Sequence, residues 1–361
     1  MFSYENLYNK VFDTTIDSDK LVIISGYVGP AVVQDLKKLP YDVELYVGMY
    51  GNVISGILHK SLLKSDKMEN VSIFYTNILV HAKCYIWFKN NKIVKALIGS
   101  ANFSTSGLMT PKKEVLGYIP EESYDEMLVY IDLIKQVSYS VKEYNYEERN
   151  IIGFTDDMTQ TISDKEVEIS LLAARGSGNQ NNIIGIATNP GDVHAGAGLN
   201  WGFSNGMPKP NDAYIKIPKE QIINNPLMFP PKSNDINDPI DVIWDDGTEM
   251  QMLLEGNQTV EGIDYPKQIS TYKSKKELGI YLRKRIGDAI GKNLIIPEEL
   301  SKDEFVAKAH YYKDKFITKE MLDLYGRTSI NIKLIGDRTY YFDFSRNNSE
   351  KKTTNLFILI Y

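Results

Sequence analysis

The chain has 361 residues, 43% of them hydrophobic and 24% charged, with a formal net charge of −6 and one cysteine. That length points to two domains rather than one. The composition is that of a globular protein; no apolar run is long enough to span a membrane, and one cysteine excludes both an intrachain disulfide framework and a cysteine-rich zinc site.

The opening residues, MFSYENLYNKVF, lack the basic start and apolar core of a signal peptide, so a cytoplasmic protein is expected. Residues 21 to 48 read as strand, helix, strand: LVIISGYVG is an apolar run ending in glycine, AVVQDLKKL has helical spacing, and VELYVGM alternates. VSIFYTNILV, residues 71 to 80, begins another strand pair. The stretch from Ser123 to Tyr144 predicts one amphipathic helix with Met127, Tyr130, Ile131 and Ile134 on a shared face. Alternating strands and helices make residues 1–148 an α/β domain.

Residues 149–166 read as a polar linker, and residues 167–361 have a different texture. Short strand-like runs (VEISLLA, NIIGIAT, DAYIKIP, PIDVIWDDG, EMQMLLEG, SINIKLIG, YYFDFS) alternate with Gly, Asn, Pro and Asp clusters. This favours a mostly-β barrel or sandwich. Ser274 and Glu277 carry a capping-box signature, and Leu278, Leu282 and Ile286 follow at helical spacing. Further helices are expected near 301–312 and 318–324. WDDG, at 244–247, reads as a turn.

The chemistry concentrates in HAKCYIWFKNNKIVKALIGSANFS, residues 81 to 104. In a strand, Leu79, His81, Lys83, Tyr85 and Trp87 share one face, and Val80, Ala82, Cys84, Ile86 and Phe88 the other. Imidazole and ammonium then stand side by side, about 7 Å apart at the backbone. Asn90-Asn91 suits a tight hairpin turn with positive φ. The returning strand delivers Gly99-Ser100-Ala101-Asn102 beside the His/Lys end. Such a set suits a phosphodiester: imidazole attacks phosphorus, Lys83 and Asn102 hold the charged oxygens, and small residues let backbone amides approach. A carboxylate is still needed to orient the imidazole; Glu114 is the foremost candidate, with Glu121 and Glu122 also near.

A bare His-x-Lys is common and mostly structural. The longer pattern, His81-x-Lys83 followed by Gly99-Ser100-x-Asn102, resembles the motif of the phospholipase D superfamily. It departs from the full motif in having Phe88 where an Asp is usual; superfamily nucleases use a Glu after the Asn instead. The resemblance implies a site built from two such motifs, one His as nucleophile and one as general acid. The other histidines, His59, His194 and His310, head no His-x-Lys, so a homodimer is implied. No metal and no cofactor is expected.

Farther along, the segment from Lys267 to Arg285 carries seven Lys/Arg against one acid, Glu277. It offers Lys267, Lys273 and Lys275 for phosphates and Gln268 and Ser270 for base edges. The glycine-rich GAGLNWGFSNGMPKP offers Asn200, Trp201, Asn205 and Lys209 on a loop that could enter a groove. Against this stand ordinary roles: Trp201 in packing, and Arg283, Lys284 and Arg285 as the solvated side of a helix. GLNWG, DAYIKIP, YPKQIST, KKELGIYLRKRIG and YGRTSI resemble the C-terminal half of NgoFVII-type restriction endonucleases. That resemblance implies an α/β phospholipase D-like nuclease domain followed by a B3-like DNA-binding pseudobarrel, acting on double-stranded DNA. A type II-like endonuclease working through a phosphohistidine is the leading expectation. The competing ones are a lipid-cleaving phospholipase D-type enzyme, a DNA-binding protein with a degenerate site, and a nuclease subunit needing a separate ATPase chain. A cognate DNA methyltransferase is the remaining partner that the resemblance implies.

Overall fold

The computed structural model describes residues 2–49, 54–144, 165–173, 182–232, 237–297 and 300–346. Most of the expected linker, residues 149–164, lies outside them. Two compact units are formed: Met1–Glu166 with Lys232–Leu254 and Lys333–Tyr341, and Val167–Pro231 with Glu255–Ile332 and Phe342–Tyr361.

Among the described residues, eight strands and five α-helices of the first unit precede residue 145. The strands are β1 (Phe2–Ser3), β2 (Lys20–Ser25), β3 (Asp42–Val47), β4 (Val71–Thr76), β5 (Lys83–Lys89), β6 (Lys92–Gly99), β7 (Leu116–Tyr118) and β8 (Ser138–Ser140). The helices are α1 (Leu7–Val11), α2 (Pro30–Gln34), α3 (Gly56–Ser65), α4 (Thr105–Met109) and α5 (Tyr124–Gln136). The strands form one sheet in the order β1-β7-β6-β5-β2-β3-β4-β8. Its centre is mixed, with β2 parallel to β3 and antiparallel to β5. Both central strands are nearly continuous apolar runs, because both faces of the sheet are covered. Cys84, Ile86 and Phe88 share a core with Val80, Val22, Ile24 and the α5 residues Met127, Ile131 and Ile134. This is the face expected from the alternation. The opposite residues, Tyr85 and Trp87, are fully buried as well.

Asn90 and Asn91 have φ of 50° and 62°, the left-handed geometry a two-residue hairpin requires. Two expectations need correction. β4 ends at Thr76 and pairs with β3 and β8, so it does not join β5 in a hairpin, and His81 lies just ahead of β5 rather than within it. The helix expected to Tyr144 stops at Gln136: Ser138 Oγ donates to the Ile134 carbonyl (2.6 Å), and Ser138–Ser140 pairs with β4. The free edge of β4 offered ladder partners to Ser138–Ser140, with Tyr139 a residue of strand propensity, and this outweighed the helical spacing.

The remaining strands are β9 (Glu166–Ser170), β10 (Ile215–Lys216), β11 (Asp238–Trp244), β12 (Glu249–Glu255), β13 (Gln258–Val260), β14 (Ile263–Tyr265), β15 (Gln268–Thr271), β16 (Ser329–Gly336) and β17 (Thr339–Asp343). The helices are α6 (Lys219–Asn224), α7 (Lys275–Ile290), α8 (Lys302–Lys308) and α9 (Lys319–Tyr325). Seven of these strands form a nearly closed, barrel-like sheet in the order β10-β15-β12-β11-β17-β16-β9. WDDG is the β11–β12 hairpin turn, with Gly247 at φ +78°.

NIIGIAT does not form a strand. Its backbone winds around Asn182, whose Oδ1 accepts from the Ile184 and Ile186 amides (3.2 and 3.1 Å). That local alternative competes with a ladder. Ile183, Ile184 and Ile186 pack against Phe203, Ile296, Phe305 and Phe316. Helix α7 starts at Ser274 as expected, but the Ser274 hydroxyl accepts from Lys276 N; the reciprocal capping box forms at Ser301 and Glu304 of α8.

Candidate functional site

Register in the first sheet decides what meets at one end of it. Ser25 at the end of β2 faces Lys83 at the start of β5, and Cys84 faces Ile98 near the end of β6. The exit of β2, the entry of β5 and the exit of β6 therefore coincide. From those three chain segments come Gly26-Tyr27, His81-Lys83 and Ser100-Asn102.

His81 is exposed, while Lys83 is 4% exposed. The His81 ring sits over Gly26, where a Cβ would lie 3.0 Å from His81 Cδ2, and edge-on to Tyr27 at 6.1 Å between centroids. Lys83 Nζ donates to the His81 carbonyl at 2.5 Å. Burial lowers the Lys83 pKa, opposed by the carboxylates of Glu114 and Asp337. Asn102 Oδ1 accepts from the Tyr27 amide (3.3 Å), so the donor end of its side-chain amide is Nδ2. Ser100 exchanges bonds with the residue after Glu114: its amide donates to the Val115 carbonyl (3.0 Å) and its hydroxyl accepts from Val115 N (3.1 Å). The fold thus brings His81, Lys83, Ser100, Asn102 and Glu114 to one place. Phe88, at the departure from the motif, is 5% exposed in the core. His59 bonds to the Tyr75 hydroxyl through Nδ1 (3.0 Å), with its pKa lowered by burial.

One acid near this group had no signal in the sequence. Asp337, on the β16–β17 turn, is half-buried. Burial raises its pKa, opposed by the charges of Arg338, Lys83 and His81. It lies more than 250 residues beyond His81, and no local pattern marks it.

The expected DNA-contacting residues divide into two kinds. Asn200 is fully buried: its Nδ2 donates to the Ile317 carbonyl (2.8 Å) and its Oδ1 accepts from Ile317 N (3.0 Å). Gln268 and Ser270 are buried as well and donate to Glu255 Oε1 at 2.7 and 2.8 Å, where Lys275 also pairs. Burial alone would raise the Glu255 pKa; bonds from Lys275, Gln268 and Ser270 hold it below the usual range. Trp201 is half-buried, edge-on to Tyr214 at 5.5 Å. Lys209, Lys267 and Lys273 are exposed.

Arg283 departs from the solvated-face reading. It is fully buried and donates to the carbonyls of Leu199 (3.2 Å), Leu294 (3.4 Å) and Lys315 (2.5 Å). Among the described residues, no group of three or more His, Cys, Asp or Glu is placed to hold a metal ion, and no helix is long and apolar enough to cross a membrane.

Two stretches of the chain match family models of known proteins. Residues 5–148 match the family model of the NgoFVII restriction endonuclease N-terminal PLD domain. Residues 174–304 match that of the NgoFVII C-terminal B3-like DNA-binding domain. Similar solved structures include Nuc, a phospholipase D family member from Salmonella typhimurium, at 14% identity, 38% of this chain, 93% of that chain and a TM-score of 0.29. NucT from Helicobacter pylori is similar at 14% identity, 39% of this chain, 99% of that chain and a TM-score of 0.30. No curated protein sequence matches the chain.

Proposed function

We propose, because the chain belongs to the NgoFVII restriction endonuclease family, that it is a sequence-specific, type II-like endonuclease of double-stranded DNA that cuts without a metal ion. The observation that carries the reading is the meeting of His81, Lys83 and Asn102 at one sheet end. In this reading the His81 ring attacks the scissile phosphorus, a P–N bond forms, and the P–O bond to the leaving oxygen breaks. Lys83 and Asn102 Nδ2 hold the non-bridging oxygens as charge builds, with Ser100 in support. Glu114 orients the imidazole. Water then hydrolyses the phosphohistidine.

The leaving oxygen needs a proton, and the described chain has one His-x-Lys. A second copy supplies the second His81 as general acid. The surroundings of His81 support this arrangement. Ile78, Leu79 and Leu133 are 54%, 50% and 53% exposed, and with His81 and Tyr130 they line a cavity of about 440 Å³. An apolar rim around a reactive imidazole suits a partner surface.

On the DNA-binding side, Lys209, Lys267 and Lys273 contact phosphates, being exposed and cationic. Asn200, Gln268, Ser270 and Lys275 are held by internal partners and shape the loops that present them. The enzyme acts on cytoplasmic DNA, with host sites protected by a cognate methyltransferase.

The test is plasmid cleavage with excess EDTA and no ATP, with the ends mapped by sequencing. Discrete fragments are expected. A strict requirement for a metal, or for an ATPase chain, would overturn the metal-free type II-like reading. His81→Ala is expected to lose cleavage by about a thousandfold or more while still binding DNA; wild-type cleavage by that variant removes His81 from the mechanism.

A further inference from the structure

The motif that carries the proposed chemistry is held by residues far outside it. Strand β11, about 140 residues downstream, belongs to the same compact unit as the nuclease residues and packs on α2 and α4. Asp241 on β11 is fully buried. Its Oδ2 accepts from Thr105 N (2.9 Å), and its Oδ1 accepts from Thr105 Oγ1 (2.9 Å) and Ala31 N (3.1 Å). Thr105 lies three residues past Asn102, and Ala31 four past Tyr27.

Between these anchors the two loops are joined by hydrogen bonds. Phe103 N donates to Ser25 Oγ (2.9 Å), Gly29 N donates to the Phe103 carbonyl (2.9 Å), and Tyr27 N donates to Asn102 Oδ1 (3.3 Å). Residues 25–31 and 102–105 thus form a clasp with Asn102 at one end and Asp241 at the other. Gly29 is shaped for it: a Cβ there would lie 2.1 Å from Asp241 Oδ2. A second acid of β11, Asp238, pairs with Lys113, the neighbour of Glu114 (2.8 Å). Both ends of the segment from Asn102 to Glu114 are therefore tied to one strand.

We propose that Asp241 is a positioning residue of the nuclease site, fixing Asn102 and the Tyr27 amide through the 25–31/102–105 clasp, with Asp238 securing the Glu114 end. This rests on the nuclease reading above. Its physical basis is that a carboxylate presents two acceptors on a rigid fork, and the three donors converge on both of them. An amide in its place offers one acceptor and turns a donor toward one of them. A small displacement of a phosphate ligand costs rate without costing affinity, since the ligand's work is done in the transition state.

The full-length protein is compared with Asp241→Asn and Gly29→Ala. Gly29 has φ −99° and ψ 125°, a conformation alanine adopts, so Gly29→Ala acts by expelling the carboxylate. Three quantities are read: the single-turnover cleavage rate of plasmid at saturating protein, DNA affinity, and amide hydrogen exchange across residues 100–109. In both variants the rate should fall by about tenfold to a hundredfold, with affinity held within about twofold and exchange accelerated by about tenfold. Thr105→Val, which removes one bond only, should show the same pattern at smaller size, and it decides the matter should the other two fail to fold. Wild-type cleavage in folded variants overturns the proposal, as does unchanged exchange. If the wild-type protein cuts no DNA, the nuclease reading fails; exchange then decides the clasp by itself, acceleration supporting it and no change overturning it.

Discussion

Glu249 provides a sharp test of the electrostatics of the first unit. It begins β12, and its Oε1 accepts from the Ser61 hydroxyl at 2.7 Å. Burial, with the Asp241 charge nearby, outweighs Ser61 and Lys64 and raises its pKa from 4.5 to about 7. A carboxylate with a raised folded-state pKa binds more protons folded than unfolded across the interval between the two values. Stability therefore falls as pH rises through pH 4.5 to 7, and is flat with respect to this group below and above. A rise from 4.5 to about 7 corresponds to roughly 3 kcal/mol lost by neutral pH. Glu249→Gln keeps the acceptor for Ser61 and removes the charge. It should match wild type near pH 4 and exceed it by about 2 to 3 kcal/mol at pH 8, less any cost of the new amide donor. Urea unfolding at half-unit steps from pH 4 to 8.5 measures this. Parallel curves for the two proteins, with a constant offset, would refute the reasoning, because the group would then not be titrating across that window.

Arg283→Met should cost about 2 kcal/mol, since it strips donors from buried carbonyls while relieving a buried charge. The salt slope of its DNA binding should stay at the wild-type value, and a shallower slope would make Arg283 a phosphate ligand. Lys267→Ala and Lys273→Ala should each reduce that slope by about one unit and weaken binding evenly across sequences; unchanged slopes would move the DNA surface elsewhere. Leu133→Asp should shift the protein to monomer in analytical ultracentrifugation and abolish cleavage, whereas an active monomer would end the shared-site reading.

Some of this was legible because it is local. The Asn90-Asn91 turn, the α5 face of Met127, Ile131 and Ile134, the stack of Leu278, Leu282 and Ile286, and the spacing of His81, Lys83, Ser100 and Asn102 depend on neighbours a few residues apart. Strand and helix periods carry that information directly. The motif's meeting point follows from one hairpin, whose turn residues set its register.

The rest depended on partners distant in the chain. Residues Ser138–Ser140 left the helix because β4 offered an edge. Arg283 looked like a surface cation on a helix, yet the carbonyls that enclose it come from Leu199, Leu294 and Lys315. Gln268 and Ser270 donate to Glu255, and Asn200 bonds to Ile317, partners that no local spacing announces. Asp337 approaches Lys83, and Asp241 holds Thr105 across 136 positions, with no periodic or spacing signal to announce either. Periodicity records which way a side chain points. What it meets there is set by the tertiary fold, so the chemistry of the motif was determined by the sequence and its surroundings by long-range packing.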